Sequence, residues 1–178
     1  MKASSLRDAL ILHATDLLDA GNHDLSLRGV ARAAGVSAMA PYRHFSDKAA
    51  LLHAVKERGF ATLHDTLVTA DTTGLAMSPA QALVEQGAAY VAFAQARPAL
   101  FRLMFTGAED ATPKEAADGS AYAVLAARVA SLRPAGAETA TMAAWSIVHG
   151  LAMLILDSRL PPEPAGVRAA LDLFVAGL

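Results

Sequence analysis

Apolar residues recur every three or four positions along most of this chain, which is the spacing of amphipathic α-helices. The first such stretch runs from Leu6 to Leu18, and Gly21 follows it as a C-terminal stop. Pro79 and Pro98 mark the first turns of two later helices, where the missing proline N–H costs little. Few long β-branched runs interrupt the pattern. It therefore predicts an all-α protein of about nine helices.

Residues 26–48 carry the clearest helix boundaries. Three serines stand at N-cap positions, and two glycines separate or end the helices. This punctuation predicts a helix-turn-helix followed by a longer helix that Ser46 caps. The three predicted helices run from Ser26 to Ala34, from Ser37 to His44, and from Lys48 to about Val68.

The turn-forming residues 71–74 (Asp-Thr-Thr-Gly) break the apolar spacing, so we expect a domain boundary there. The pattern predicts an N-terminal helix-turn-helix domain over residues 1–48, a connecting helix over 47–68, and a C-terminal helical domain over 69–178. The helices expected in the second domain cover residues 78–97, 98–105, 113–132, 137–158 and 165–178.

Composition narrows the class of protein. Apolar residues make up 54% of the 178, and there is no cysteine, which excludes disulfides and thiolate metal sites and fits a cytoplasmic protein. The N-terminus lacks the apolar core of a signal peptide. Residues 139–156 are uncharged, at the lower length limit of a membrane span, but His149 and several Thr and Ser residues favour a buried helix. No membrane partner is expected.

The positive charge is local. Residues 1–60 contain eight Lys and Arg against six Asp and Glu, whereas residues 61–178 contain seven against eleven. Between residues 25 and 48 four basic side chains (Arg28, Arg32, Arg43 and Lys48) face one acid, Asp47. Such a cluster is often only a solvated face. Within a helix-turn-helix it favours phosphate and base contacts instead.

An N-terminal region and two C-terminal segments of the sequence resemble a known family. The segments Ala33-Ala34-Gly35-Val36-Ser37, Tyr42-Arg43-His44-Phe45, Asp47-Lys48 and Leu51-Leu52 are similar to the DNA-binding region of tetracycline-repressor-type (TetR family) regulators, over about residues 6–60. Residues 144–150 (Ala-Trp-Ser-Ile-Val-His-Gly) resemble the Trp-x-x-x-His-Gly signature of one C-terminal domain class in that family. Residues 97–105 are similar to a second, shorter segment that is typical of the same domain class.

The resemblance implies roles for particular residues. Ser26, Ser37, Tyr42, His44 and Lys48 would bind DNA phosphates, while Ala38, Met39 and Arg43 would face the bases; Arg28 lies in the same basic surface. Two positions depart from the common family pattern, because Met39 replaces a frequent Gly and Pro41 replaces Leu or Ile. Pro41 removes about one intrahelical hydrogen bond, which the end of a short helix tolerates.

Aromatic and Met residues recur at helical spacing in the C-terminal part. Such a stripe lines either a core or a ligand cavity, and the resemblance to a ligand-binding family keeps both interpretations open. His149 is either a hydrogen-bonded core residue or a polar group in that cavity; a metal site is not expected, since no second ligand stands at suitable spacing. The candidate ligand-binding residues are Tyr90, Phe93, Phe101, Met104, Phe105, Met142, Trp145 and His149.

The chain contains no Gly-rich phosphate loop, no His-Glu-x-x-His and no G-x-S-x-G, so we expect neither an enzyme nor a cofactor. The favoured function is a homodimeric repressor that a small apolar or aromatic effector releases from a palindromic double-stranded operator. The dimer is expected to form through Ala137–Ser158 and Ala165–Phe174, with Val148 and Ile155 among the residues that a partner covers. One alternative is a helical small-molecule carrier or enzyme with a relic DNA-binding region. Another is an architectural protein that coats DNA, which the acidic balance after residue 60 disfavours.

Overall fold

The computed structural model describes residues 5–22, 25–106 and 120–178, and helices supply all of its regular structure. This confirms the predicted all-α fold. Within the described ranges there are eight α-helices and one 3-10 helix. They are α1 (Leu6–Asp19), α2 (Leu27–Ala33), the 3-10 helix (Pro41–Arg43), α3 (Lys48–Leu75), α4 (Pro79–Ala96), α5 (Pro98–Met104), α6 (Ala121–Leu132), α7 (Ala137–Leu156) and α8 (Pro164–Ala176).

The described residues form two compact units. The first holds the residues up to Gly59 together with Arg97–Thr106, and in it α1 packs against α2 and α5 while α2 packs against the 3-10 helix. The second holds Phe60–Ala96 and residues 120–178, where α4 packs against α6, α7 and α8, and α6 packs against α7. This division differs from the expected boundary at residue 69: α5 belongs to the first unit, and α3 contributes residues to both.

Caps and left-handed glycines set the ends of the first helices. Ser5 forms a capping box with Asp8, which the Ser-x-x-Asp spacing before an apolar run indicates. The predicted Ser26 cap is present, with its hydroxyl oxygen accepting from the Gly29 N–H at 3.1 Å. Gly21 and Gly35 follow α1 and α2 with φ of 83° and 68°, a region that glycine enters without steric cost. Both predicted stops therefore lie where the backbone requires glycine.

Helix α3 begins differently from the prediction. The Asp47 carboxylate accepts from the Ala50 N–H at 2.8 Å, whereas the Ser46 hydroxyl donates to that carboxylate at 3.2 Å. Asp47 therefore caps the helix and Ser46 supports the cap. A carboxylate also interacts favourably with the positive end of the helix dipole, which a serine hydroxyl does less strongly.

Helix α3 also continues past the expected break at residues 71–74 and ends at Leu75. Its threonines do not compete with the helix, because Thr69, Thr72 and Thr73 donate their hydroxyls to carbonyls one turn earlier at 2.9 Å. Gly74 is buried against the backbone of Ala82, where an added Cβ would approach within 2.5 Å of the Ala82 Cα. The glycine therefore permits close packing here and does not end the helix.

The predicted helix starting at 113 falls partly outside the described residues, which resume at Ser120. The Ser120 hydroxyl oxygen accepts from the Ala123 N–H at 3.0 Å and caps α6. Further on, α7 ends at Leu156 and α8 at Ala176, two residues earlier than expected in each case.

A three-residue polar network ties helices of the second unit together. Arg128 on α6 donates to both oxygens of Asp71 on α3, at 2.7 and 2.8 Å, and Gln86 on α4 donates its amide to the same carboxylate at 2.6 Å. The side chains of Arg128 and Asp71 are only 13% and 20% exposed. The hydrogen bonds from Arg128, reinforced by Gln86, hold the pKa of Asp71 below its ordinary value of 3.8 despite its burial.

This network makes the stability of the second unit depend on pH. Because the Asp71 carboxyl has a lower pKa folded than unfolded, its contribution is present above the unfolded pKa of about 4 and is lost as the pH falls through the folded value. We expect Asp71→Asn to lower the free energy of unfolding at pH 7 by about 1–3 kcal/mol and to flatten its decline below about pH 5. Urea unfolding across this range measures both effects.

The matched control is Asp65→Asn on the same helix, where the carboxylate side chain is 84% exposed. We expect this change to leave the free energy of unfolding within about 0.5 kcal/mol of the wild-type value. Equal effects from the two substitutions would contradict a specific role for the network.

Candidate functional site

The segment expected to enter the major groove is a turn and a 3-10 helix, so the α-helix predicted over 38–44 is wrong. Ala40 donates its N–H to the Ser37 carbonyl, Arg43 to Ala40 and His44 to Pro41, at 2.9 to 3.2 Å, all three spanning three residues. Pro41 contributes to this geometry, because it has no N–H to bond the Ser37 carbonyl four residues earlier. Residues 34–47, all of which the structure describes, therefore contain no α-helix, and Ser37 does not cap one.

Buried apolar side chains hold this segment in place. Pro41 within the segment and Phe45 directly after it are both buried, with Phe45 only 3% exposed. From α2, Leu27, Val30 and Ala31 are also buried. The 3-10 turn therefore gains its stability from side-chain burial as well as from its few backbone hydrogen bonds.

All nine predicted DNA-contacting residues are exposed. Met39 is 65% exposed and Tyr42 43%, values that are high for a methionine and a tyrosine in a folded unit. The other seven are Ser26, Arg28, Ser37, Ala38, Arg43, His44 and Lys48, each also exposed. Residues 26–48 thus divide into a buried apolar set and an exposed set whose chemistry suits phosphates and base edges.

The single acid of this region is engaged at the start of α3. The Asp47 carboxylate binds the Ala50 N–H and the Ser46 hydroxyl. Its negative charge is thereby directed at a helix N-terminus. Arg28, Arg43 and Lys48 remain exposed, which leaves the surface net basic.

A second candidate site lies within the second unit, where aromatic side chains of α4, α6 and α7 meet. The Tyr90 hydroxyl and His149 Nδ1 are hydrogen-bonded at 3.0 Å. The ring of Trp145 lies 6.2 Å from that of His149 and makes an edge contact with Tyr122 at 5.8 Å. Three predicted ligand-binding residues are therefore brought together, and Tyr122 joins them. Spacing within single helices gave no signal for Tyr122, which meets the others only through packing.

Two polar groups on α7 and α4 have unusual environments. Burial lowers the pKa of His149 below its ordinary value of 6.5, which keeps the imidazole neutral at pH 7. One turn before Tyr90, the Gln86 side chain is 2% exposed, and its Oε1 has no hydrogen-bond partner among the described residues. A buried acceptor of this kind suits a ligand that carries a donor group.

The remaining predicted ligand-binding residues are distributed elsewhere. Phe93 is buried in the second unit. Phe101, Met104 and Phe105 belong to the first unit, where the rings of Phe101 and Phe105 lie 4.9 Å apart and Met104 packs against the helix at Gly59. Met142 is 58% exposed on α7. The predicted set is thus divided between the two units.

One face of α7 and one face of α8 are exposed and largely apolar. On α7 the exposed residues fall on one helical face that includes Gly150, where an added Cβ would meet open space. On α8 the exposed face includes Leu173, which is 79% exposed. The expectation that Val148 and Ile155 need a partner to cover them is wrong, because both are buried within the unit. The exposed residues are Glu138, Thr139, Met142, Ala143, Ser146 and Leu154 on α7, and Pro164, Ala165, Gly166, Ala169, Asp172, Leu173 and Ala176 on α8.

By length and composition alone, α7 is the one helix of the described residues apolar enough to cross a membrane. Core helices of soluble proteins share those properties, and six residues of α7 are buried within the unit.

Family models cover most of the chain. The model described as "Bacterial regulatory proteins, tetR family" matches residues 11–55. The model described as "Tetracyclin repressor-like, C-terminal domain" matches residues 83–178, which is more than half of the sequence. No protein with a curated function matches.

Two solved structures are similar over their whole length. A protein with unknown function from Rhodococcus sp. RHA1 is 32% identical, with a TM-score of 0.83, covering 99% of this chain and 97% of that one. The TetR family transcriptional regulator PfmR from Thermus thermophilus is 20% identical, with a TM-score of 0.65 and coverage of 99% and 98%. The second likeness shows the fold alone.

Proposed function

This chain belongs to the TetR family of DNA-binding transcriptional regulators, and from that premise we propose that it is a homodimeric repressor released from a palindromic operator by a small effector. Regulators of this family are generally non-enzymatic, and a DNA-binding regulator is expected in the cytoplasm. The observation that carries the proposal is the division of residues 26–48 into a buried anchor and an exposed basic surface.

We assign the DNA contacts to the exposed set. Ser26, Ser37, Tyr42, His44 and Lys48 carry hydroxyl, imidazole and ammonium groups that bind phosphates. Arg43 carries the fork that reads guanine, and Met39 offers an apolar contact for a thymine methyl. Arg28 adds positive charge, and Ala38 leaves room for a base edge. Exposure of every member supports the assignment, because a buried member would have been unable to reach DNA.

Removing two central contacts tests this assignment. We expect the double variant Tyr42→Ala, Arg43→Ala to weaken binding by at least about 30-fold, because each contact contributes about 1–3 kcal/mol. The measurement is fluorescence anisotropy on a duplex that the wild-type protein selects from a random-sequence library.

The control is Arg159→Ala, which removes an exposed charge from the second unit. It should bind like the wild type. A folded double variant that binds the selected duplex with wild-type affinity would refute the assigned contacts.

We assign dimerisation to the exposed apolar faces of α7 and α8. Two helices from each subunit would form a four-helix interface with two-fold symmetry. Leu154 is 44% exposed and Leu173 79%, an arrangement that favours burial against a second copy. Small residues such as Ala143 and Gly150 on the same face of α7 allow a close approach between helices.

A charge placed on this surface should separate the subunits. We expect Leu173→Asp to weaken dimerisation by at least about 100-fold, since burying an unpaired carboxylate costs several kcal/mol. Sedimentation velocity at micromolar concentration measures the change. The control is Met77→Asp, which alters an equally exposed apolar residue (77%) outside α7 and α8. Wild-type protein that sediments as a monomer, or a dimeric Leu173→Asp variant, would contradict the assigned interface.

We place the effector in the second unit among Tyr90, Phe93, Trp145 and His149. Aromatic faces there suit an apolar or aromatic molecule. The neutral imidazole and the unpartnered Gln86 oxygen suit a donor group on it. A dimer must hold the DNA-reading segments of its two subunits, residues 38–44 of each, about 34–36 Å apart to enter successive major grooves. An effector that favours another spacing therefore releases the DNA.

This mechanism predicts reciprocal coupling. Trp145 is the only tryptophan, so quenching of its fluorescence identifies binders in a panel of small aromatic compounds. We expect such a compound to weaken the protein's affinity for the operator by about 5–150-fold. The operator should weaken the protein's affinity for the compound by the same factor. A Trp145→Phe, His149→Leu variant should lose this effect while still binding DNA. Undiminished release from that variant would show that the effector site lies elsewhere.

A further inference from the structure

Arg7 is an exposed arginine in the first turn of α1, outside the predicted helix-turn-helix. The carboxylate next to it in sequence, that of Asp8, accepts hydrogen bonds from the N–H and the hydroxyl of Ser5 at 3.3 and 2.8 Å in the capping box. In the part of the chain that the structure describes, Arg7 forms no ion pair. No salt bridge with a described residue therefore neutralises its positive charge, which acts on the nearby Asp8 only through space.

The position of the Arg7 guanidinium is set by Phe45. The Arg7 Cζ atom lies 5.4 Å from the centre of the Phe45 ring, within the range of a cation–π contact. Phe45 is 3% exposed, so it forms a fixed platform for the arginine. The residues on either side of Phe45 are His44, assigned above to a phosphate contact, and the Ser46–Lys48 stretch that opens α3. The stacking thus holds a guanidinium beside the reading surface, although α1 is remote from it in sequence.

Because an aromatic ring accepts no conventional hydrogen bond, a guanidinium held over it keeps its N–H groups available to other acceptors. Those groups form the fork that matches the oxygens of a phosphate. Holding the side chain in advance also reduces the conformational entropy that the arginine loses when DNA binds.

We propose that Arg7, stacked on Phe45, contacts a phosphate of the DNA backbone next to the stretch read by Tyr42–His44. This rests on the proposed DNA-binding function and extends its contact surface to α1. The contact contributes to affinity for every duplex and adds no discrimination between sequences, because all phosphates are alike.

The salt dependence of binding tests this contact. Each phosphate contact contributes about 0.9 to the slope of log affinity against log salt, through counterion release. Arg7→Met keeps an apolar side chain on the Phe45 ring and removes the charge. We expect it to reduce the slope by about 0.9 on both a library-selected duplex and a random-sequence duplex. Arg7→Lys should restore most of the slope. Arg159→Met, which removes one exposed charge from the second unit, should leave it unchanged.

Thermal unfolding of each variant separates a DNA contact from a structural role. If Arg7 only stabilises the fold, Arg7→Met lowers Tm and leaves the salt slope at the wild-type value, which would overturn the proposal. An equal fall in slope for Arg159→Met would also overturn it, because the effect would then follow net charge alone. Should Arg7→Met fail to fold, Arg7→Gln supplies the same comparison. Wild-type protein that binds neither duplex refutes the proposed function itself, a result distinct from any effect of Arg7.

Discussion

Burial of Pro41 and Phe45 is the constraint on which the exposed reading surface depends. Residues 38–44 form a turn and a single 3-10 turn with few backbone hydrogen bonds, so this segment has little stability of its own. Packing of these two residues, together with Leu27, Val30 and Ala31 of α2, fixes its conformation. Because the anchors are buried, Tyr42, Arg43 and His44 remain on the outside, where they are available to DNA. Phe45 also holds Arg7 at this surface.

Helix α3 provides the covalent link from this surface to the rest of the chain. It begins at Lys48, directly after the Asp47 cap, and continues without a break to Leu75. Near its far end Asp71 is bound by Arg128 of α6 and Gln86 of α4. These two helices also carry Tyr122 and Tyr90 of the aromatic cluster. A ligand that alters the packing of α4 and α6 would therefore act on the C-terminal end of α3. The N-terminal end of the same helix directly follows the DNA-reading segment. This is the physical basis of the proposed release.

Local signals in the sequence predict what depends on local chemistry. The Ser26 cap, the stops at Gly21 and Gly35, and proline at the start of α4 and α5 are all present. Two predictions fail where a residue has more than one available role. Gly74 has the pattern of a break, but it serves a close helix–helix contact. Pro41 is expected to remove one hydrogen bond, but the N–H groups of Ala40, Arg43 and His44 all bond carbonyls three residues earlier, and only Phe45 bonds a carbonyl four residues earlier.

Contacts between distant residues cannot be predicted from spacing along one helix. The contact of Arg7 with the Phe45 ring and the hydrogen bonds from Arg128 to Asp71 each join segments that are remote in sequence. Tyr122 reaches Trp145 only after α6 and α7 pack together. Periodicity ranks residues within one helix and carries no information about which faces meet. For the same reason it groups Val148 and Ile155 with the dimer surface, although the core of their own unit buries them.

Hydrogen exchange measured by mass spectrometry tests the central claim most directly, because it locates DNA on the protein without altering any residue. With a library-selected duplex at low salt, we expect slower exchange in peptides covering residues 26–48 and no change in peptides from α8. Raising the salt concentration should abolish that protection, since phosphate contacts are screened and counterions are no longer released favourably. Protection confined to other helices, while residues 26–48 exchange as in the free protein, would contradict the account.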